Sequence, residues 1–150
     1  MAGYSGTPLP KKLGIRPGLR VLLVGVPAEV RAMLRDPLAQ CDRVHGRADR
    51  VDLAMVFARS RAELEREFGP ASVMLAETGM LWACWPKKSS GVVTDVDENT
   101  VREIGLGGGL VDVKVCAVTS TWSGLKFVRR RADRGGLVEG PPSTALARSP

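Results

Sequence analysis

The stretch that most restricts what this chain can fold into is Arg20-Val21-Leu22-Leu23-Val24 followed by Gly25-Val26-Pro27. A continuous series of branched apolar residues, without polar alternation, suits a strand covered on both faces, and such strands belong to parallel sheets flanked by helices. The run predicts a strand over 20–25. Pro27 fits the first turn of a helix, where its missing N–H costs nothing. Val30, Met33 and Leu34 then recur at helical spacing over 28–35, and Pro37 is expected to end or break that helix. VDLAMVFA at 51–58 is a second buried strand of the same kind.

The rest of the chain keeps alternating between the two periods. Ser60 with Glu63 forms an S-x-x-E capping box ahead of Leu64 and Phe68, so a helix starts there. Gly69-Pro70 interrupts it, 71–77 resumes as helix, and MLWACWP is a short strand stopped by Pro86. Thr94 and Asp97 can cap a helix over 96–104, with Asp95, Asp97 and Glu98 at its positive end, and Gly105 to Gly109 close it. In LVDVKVCAV (110–118), Val111, Val113 and Val115 alternate with Asp112 and Lys114, which reads as a half-exposed strand. TSTWSG is turn chemistry and LKFVRR a closing strand, giving an antiparallel hairpin. The segment 42–45 stays open. Only GRADR separates it from the strand at 51, whereas parallel neighbours need a crossover of a dozen or more residues.

This order predicts an α/β fold: a small, Rossmann-like, mostly parallel sheet flanked by helices and ending in an antiparallel hairpin. Its last strands are similar to the way small-molecule methyltransferase domains end. Three regions follow. Residues 1–19, dense in Gly and Pro, form an extended N-terminal arm that Leu9, Leu13 and Ile15 could pin down. Residues 20–131 are the domain, and 132–150 are a disordered tail. Three cysteines are too few and too odd for a disulfide framework, so reduced thiols in the cytoplasm are expected. No apolar run reaches the ~20 residues of a membrane span, and MAGYSGTPLPKK lacks the apolar stretch of a signal peptide.

The net charge of +6 raises the question of nucleic acid. Residues 1–20 hold four basic residues and no acid, and from 129 onward five arginines face two acids, while 21–128 carry 13 basic and 14 acidic residues. The basicity therefore belongs to the ends, and specific nucleic-acid binding is not expected.

The carboxyl ends of the strands are where an open α/β sheet takes ligands. Gly25-Val26-Pro27 stands where a cofactor turn would be, but it offers one glycine where G-x-G-x-x-G has three, and a proline without an N–H. Asp42 and Asp49 are at a suitable distance to hold a ribose, yet their strand is in doubt. A plain strand–helix turn explains these residues, which argues against NAD and weakens S-adenosylmethionine; no cofactor is expected. Trp85-Pro86-Lys87-Lys88-Ser89-Ser90-Gly91 is the sharpest local feature. Two ammonium groups, two hydroxyls and loose backbone N–H groups could cradle a phosphate or carboxylate, although a solvated basic turn explains them too. Trp122, Ser123 and Gly124 follow the next turn, where Trp122 could stack on a planar ligand or simply roof a small core. Tyr4, Ser5, Gly6 and Thr7 could fold over the same rim.

Other chemistry is thin. His45 is the only histidine, so no metal cluster or Ser–His–Asp arrangement forms around it. Cys84 and Cys116 lie in strands and read as core thiols. The acids near 95–98 serve a helix start.

The strings AGYSGTPLPKKLGI, VLLVG, WPKKSSG and LVDVKVCAVTSTWSGLKFVRR resemble a bacterial family of small proteins catalogued as a domain of unknown function, number three thousand and fifty-two. The resemblance spans roughly residues 2–131 and marks Tyr4 to Ile15, Trp85 to Gly91 and Trp122 to Arg130 as its defining stretches. It implies a cytosolic bacterial protein made almost wholly of this domain, and it brings no catalytic residue with it. The reading carried forward is a non-catalytic or regulatory module that binds an anionic small molecule at the strand-end rim. The alternatives are a small enzyme on a reduced methyltransferase-like fold and an interaction subunit docking a protein partner.

Overall fold

The computed structural model describes residues 7–46 and 50–133. Tyr4, Ser5, Gly6 and Asp49 lie outside the described residues, as does the expected tail beyond Asp133. The sheet has six strands: β1 (Arg20–Val24), β2 (Asp42–Arg43), β3 (Val51–Phe57), β4 (Leu75–Pro86), β5 (Leu110–Ala117) and β6 (Trp122–Arg129). Their order is β2-β1-β3-β4-β6-β5. The first four are parallel, and β6 runs antiparallel to both of its neighbours. The α/β class, the mostly parallel sheet and the closing hairpin are as expected. The strand order reverses between β1 and β3, which makes their carboxyl ends the switch point of the sheet.

Both faces are covered because the central strands are apolar on both sides. On one face α4 (Arg61–Val73) and α5 (Glu98–Gly107) bring Leu64, Phe68 and Val101 onto Ala54, Val56, Leu81 and Leu125. Phe68 meets Phe127 edge to face with ring centroids 5.5 Å apart. The other face carries α1 (Leu9–Leu13), α2 (Ala28–Met33) and α3 (Arg35–Ala39), whose Leu13, Val30, Leu34 and Leu38 cover Val21, Leu53, Met55 and Trp82. Gly25 turns the chain out of β1 at φ +66°, and a Cβ there would lie 2.7 Å from the Phe57 carbonyl oxygen. The turn is thus pressed against the end of β3, and only glycine fits.

Several sequence expectations need correction. The arm is not simply extended: Pro8 and Pro10 suit the start of a short helix, and Gly14 closes it in the left-handed conformation. Leu13 is fully buried, worth about 1.5–3 kcal/mol. The helix after β1 breaks at Leu34, and Pro37 sits in the first turn of α3, where it needs no donor. Residues 42–43 form a real strand, a two-residue stub. Arg43 and Leu53 both stand opposite Val21, so the chain between them returns only to the same level. Helix α4 runs through exposed Pro70, ending at Val73, and 75–77 belong to β4 rather than to a helix. Helix α5 continues through Gly105 to Gly107.

In β5 the valines do not share a face. A register shift between Asp112 and Lys114 leaves Asp112 opposite Phe127 and Lys114 opposite Lys126, so the two charged residues point to opposite sides. Among the described residues no helix is long and apolar enough to cross a membrane, and no group of three or more His, Cys, Asp or Glu side chains could hold a metal.

Two predictions follow from this packing. A Cβ on Gly105 would land inside the Phe127 ring, whereas one on Gly107 meets nothing within 4 Å. Gly105→Ala is therefore expected to destabilise by about 1–3 kcal/mol despite alanine's better helix propensity. Gly107→Ala is neutral or stabilising by up to about 1 kcal/mol. Urea unfolding of both variants decides it; the reverse order would refute the packing.

The second concerns pH. Asp97 caps α5 by accepting from the Thr100 N–H at 2.8 Å and its hydroxyl at 2.9 Å, and these bonds hold its carboxyl below the usual range. Arg102 donates to Asp112 at 2.9 Å, which lowers that carboxyl likewise and ties α5 to β5. Depressed carboxyls contribute stability above the unfolded carboxylate pKa of about 4 and lose it as the pH falls through the folded value. Asp97→Asn and Asp112→Asn should each flatten the loss of stability between about pH 5 and pH 2, read as urea midpoints. Parent-like steepness in both would overturn the assignment.

Candidate functional site

The rim at the carboxyl ends of the sheet is built from the turns 25–27, 58–60, 86–91 and 118–121. The antiparallel β6 makes β5 parallel to β4, so the turns leaving β4 and β5 emerge side by side. The Lys87 N–H donates to the Thr121 carbonyl at 2.8 Å and joins them. Each turn spends one hydroxyl on its own shape. Ser90 donates to the Lys87 carbonyl at 2.6 Å and accepts from the Val92 N–H at 3.1 Å, fixing the short 3-10 turn Lys88–Ser90 that ends at Gly91. Thr119 Oγ1 accepts from the N–H groups of Thr121 and Trp122, both at 3.0 Å. What remains outward is Lys88 and Ser89, which are exposed, with Lys87 and Ser90 partly so.

The candidate residues thus fall into two groups. Lys87, Lys88, Ser89, Ser90 and Gly91 stand together on the rim. Trp85, Trp122 and Gly124 do not present themselves to a ligand. Trp85 faces the α4–α5 side and is buried there. Trp122 is 2% exposed and packs edge to face on Phe57 at 5.1 Å, roofing the other core layer. A Cβ on Gly124 would sit 3.2 Å from Cys84 Sγ and from Trp82, so this glycine is a packing position. Ser123, half-buried, pairs between Trp85 and Ala117 within the sheet. The expected stacking platform is corrected on these grounds: a tryptophan at the end of a strand with apolar neighbours on its face is drawn into the core.

The sequence reading missed Arg59. It stands two residues past β3 and holds its guanidinium 5.1 Å from the centre of the Trp122 ring, which adds a third cation to the rim. Its place after a switch-point strand is the signal that could have found it. Also unforeseen is where the nearby acids go. Glu63 accepts from the Arg59 N–H at 2.8 Å, Asp95 from the Arg61 N–H at 2.7 Å, and Asp97 from the Thr100 N–H. All three carboxylates are occupied in starting helices. The rim keeps its cations and spends its anions.

The turn after β1 offers little to a ligand. Val26 is buried, its carbonyl accepts from Arg31 Nε at 3.3 Å, and Pro27 has no N–H. The residues leaving β2 are Val44 and His45, and Asp42 sits at the start of that strand rather than its end. Two depressions lie elsewhere. One of about 480 Å³ runs between α4 and α5 beside Arg61, Phe68 and Ile104, and one of about 290 Å³ lies at the sheet edge beside Arg31, Cys41 and Arg43. Neither is lined by a rim turn. Cys84 and Cys116 are core thiols whose pKa burial pushes up, so neither is primed as a nucleophile.

No protein-family model matches the chain and no curated protein is found similar to it. Solved structures are similar. The fibrillarin pre-rRNA processing protein of Methanococcus jannaschii superposes with a TM-score of 0.50 at 13% identity, over 85% of this chain and 70% of that one. A TehB-like S-adenosylmethionine-dependent methyltransferase from Corynebacterium glutamicum gives 0.51 at 11% identity, over 81% and 85%. The pyocyanin biosynthetic protein PhzM gives 0.60 at 14% identity over 81% of this chain, which spans only 53% of PhzM. Identities this low speak to the fold alone. The fold of this chain is the Rossmann-like fold of methyltransferases.

Proposed function

We propose that this chain binds an anionic small molecule, of the nucleotide or phosphorylated-metabolite class, at the strand-end rim of a methyltransferase-type fold. One observation carries the reading: Arg59, Lys87 and Lys88 line the rim while Glu63, Asp95 and Asp97 beside it are engaged as helix caps. Lys88 is near enough to Asp97 to help hold that carboxyl down, yet no ion pair forms between them among the described residues. Ammonium and guanidinium groups without carboxylate partners favour phosphate or carboxylate oxygens, and Ser89 adds a donor.

The fold family implies S-adenosylmethionine, and the residues present do not fit it. Close backbone approach to such a cofactor needs glycines and free N–H groups after β1, where this chain has a buried Val26 and, in Pro27, a residue without an N–H. Ribose hydroxyls call for a carboxylate at the end of β2, where Val44 and His45 stand. The sulfonium is itself a cation, which Arg59, Lys87 and Lys88 would repel. The comparisons favour the second reading, a small methyltransferase, better than they favour a binding module, and that reading is tested in the same experiment.

Titration calorimetry at low salt, with adenosine diphosphate, inorganic pyrophosphate and S-adenosylmethionine in turn, separates them. The anions are expected to bind, and more weakly as salt rises. Lys87→Ala with Lys88→Ala abolishes that binding and leaves Tm nearly unchanged, because both side chains lie outside the core. Heat from S-adenosylmethionine with silence from the anions reverses the conclusion in favour of the enzyme.

A further inference from the structure

We propose that the bare edge of β1 at Leu23 takes an extended acidic segment of a partner protein, which adds to the sheet as a short strand and sets a carboxylate among Arg31, Arg35 and Arg43. The edge exists because β2 stops early. Strand β2 is two residues long and reaches β1 only at Arg20 and Val21. The Asp42 N–H donates to the Leu19 carbonyl and the Val44 N–H to the Val21 carbonyl, both at 2.8 Å. Main-chain groups of alternate residues in a strand face the same neighbour, so those of Leu23 point to this side as well. Strand β1 is paired with β3 as far as Val24, whereas Leu23 has no backbone partner on the β2 side among the described residues. The chain has left by then, since Val44 is buried in the layer under α4 and α5. One N–H and one carbonyl of an apolar strand thus stand unpaired at a sheet edge, which is what an added strand uses.

The register also fixes what a side chain of the added strand would meet. Val21 and Leu23 both pack into the layer of α1 to α3, and Arg43 stands level with Val21. A residue placed opposite Leu23 therefore turns its side chain to the same face as Arg43, two positions further along. There a hollow of about 290 Å³ lies beside Leu23 and Leu38, with Arg31, Arg35 and Arg43 around it and no carboxylate in its lining. The three guanidiniums come from α2, α3 and β2, so the fold rather than one run of sequence brings them together. Arg31 is tethered through its Nε to the Val26 carbonyl at 3.3 Å. Among the described residues Arg35 pairs only with its neighbour Asp36, at 3.2 Å with side chains 80% and 83% exposed, an arrangement worth little. Arg43 makes no ion pair among them. Planar guanidiniums bind carboxylates through paired N–H bonds, so the charge on this edge selects an acidic strand. A second copy of this chain is the wrong occupant, because pairing two such edges would bring together two sets of the same arginines.

The test selects a phage-displayed library of random heptapeptides on the full chain and measures a synthetic copy of the enriched sequence by fluorescence anisotropy. The enriched peptides are expected to carry an acidic residue between β-branched ones, and to bind more weakly as salt rises. Arg31→Gln and Arg43→Gln should each weaken the peptide about tenfold, the loss of one charge-assisted contact. Tm should stay nearly unchanged in both, because both side chains are exposed. N-methylation of the peptide amides beside the acidic residue should abolish binding, since it removes the main-chain bond to Leu23; binding that survives it overturns strand addition. Lys87→Ala with Lys88→Ala leaves the peptide at parent affinity, which separates this inference from the rim reading. Selection that enriches no acidic sequence overturns the proposal, as does parent-like affinity in the double variant Arg31→Gln with Arg43→Gln. A parent chain that sediments as a dimer and takes no peptide overturns it in favour of a second copy.

Discussion

The position of β6 between β4 and β5 is the constraint on which the rest of this molecule depends. Strand β6 is paired along its length on both sides, and Gly124 stands level with Cys84 on one side and Cys116 on the other. Any side chain at 124 would press on Cys84, Trp82 and Val118. Because side chains alternate, a slip of one residue would exchange the two faces of the strand, sending Leu125 and Phe127 away from α4 and α5 and Trp122 out of its core. The same register makes β5 parallel to β4, which brings Lys87 beside Thr121 and Lys114 beside Lys126. The shared rim of β4 and β5 is a consequence of one pairing.

A second dependence runs through the arm. Trp82 lies at the centre of the sheet with no exposure, and its indole N–H needs an acceptor. It finds the Leu13 carbonyl at 3.0 Å, 69 positions away in sequence. Leu13 and Ile15 then complete the core layer that α2 and α3 leave unfinished. The sequence supplied the anchoring side chains, Leu9, Leu13 and Ile15, correctly. It could not supply the short helix between them, because Gly and Pro density counts against regular structure unless one sees that Pro10 sits at a helix start and Gly14 at its end.

How much was legible follows a physical line. Buried strands and capped helices depend on residues close in sequence, so β1, β3 and the starts of α4 and α5 could be read from VLLVG, VDLAMVFA, Ser60 and Asp97. What depends on partners across the sheet could not. The stub β2 was ambiguous because its shortness, which dissolves the crossover problem, is decided by pairing with Arg20 and Val21. The valine alternation of β5 was misleading because a bulge costs one residue and leaves no mark in the composition. Trp85 and Trp122 read as rim residues by their position in the chain. Only the three-dimensional neighbours, the α4–α5 layer for one and Phe57 for the other, place them inside.

The charge distribution gives the most instructive failure. Residues 21–128 are nearly neutral by count, and that neutrality hid a separation of signs. Arginines and carboxylates pair on the helices, at Arg61–Glu65, Arg66–Glu67 and Arg102–Glu98, while other acids cap helix starts. These uses consume negative charge where backbone N–H groups are exposed, at the rim end of α4 and α5, and among the described residues Lys87, Lys88, Lys114 and Lys126 make no ion pair. Net charge records none of this, because it sums over positions that the fold holds apart. The same logic limits what the methyltransferase-type fold can say about chemistry. A shared strand order fixes where a ligand edge lies. Which ligand that edge accepts is set by the side chains set upon it, and here they are cations where an adenosyl cofactor would need a glycine cradle and a carboxylate.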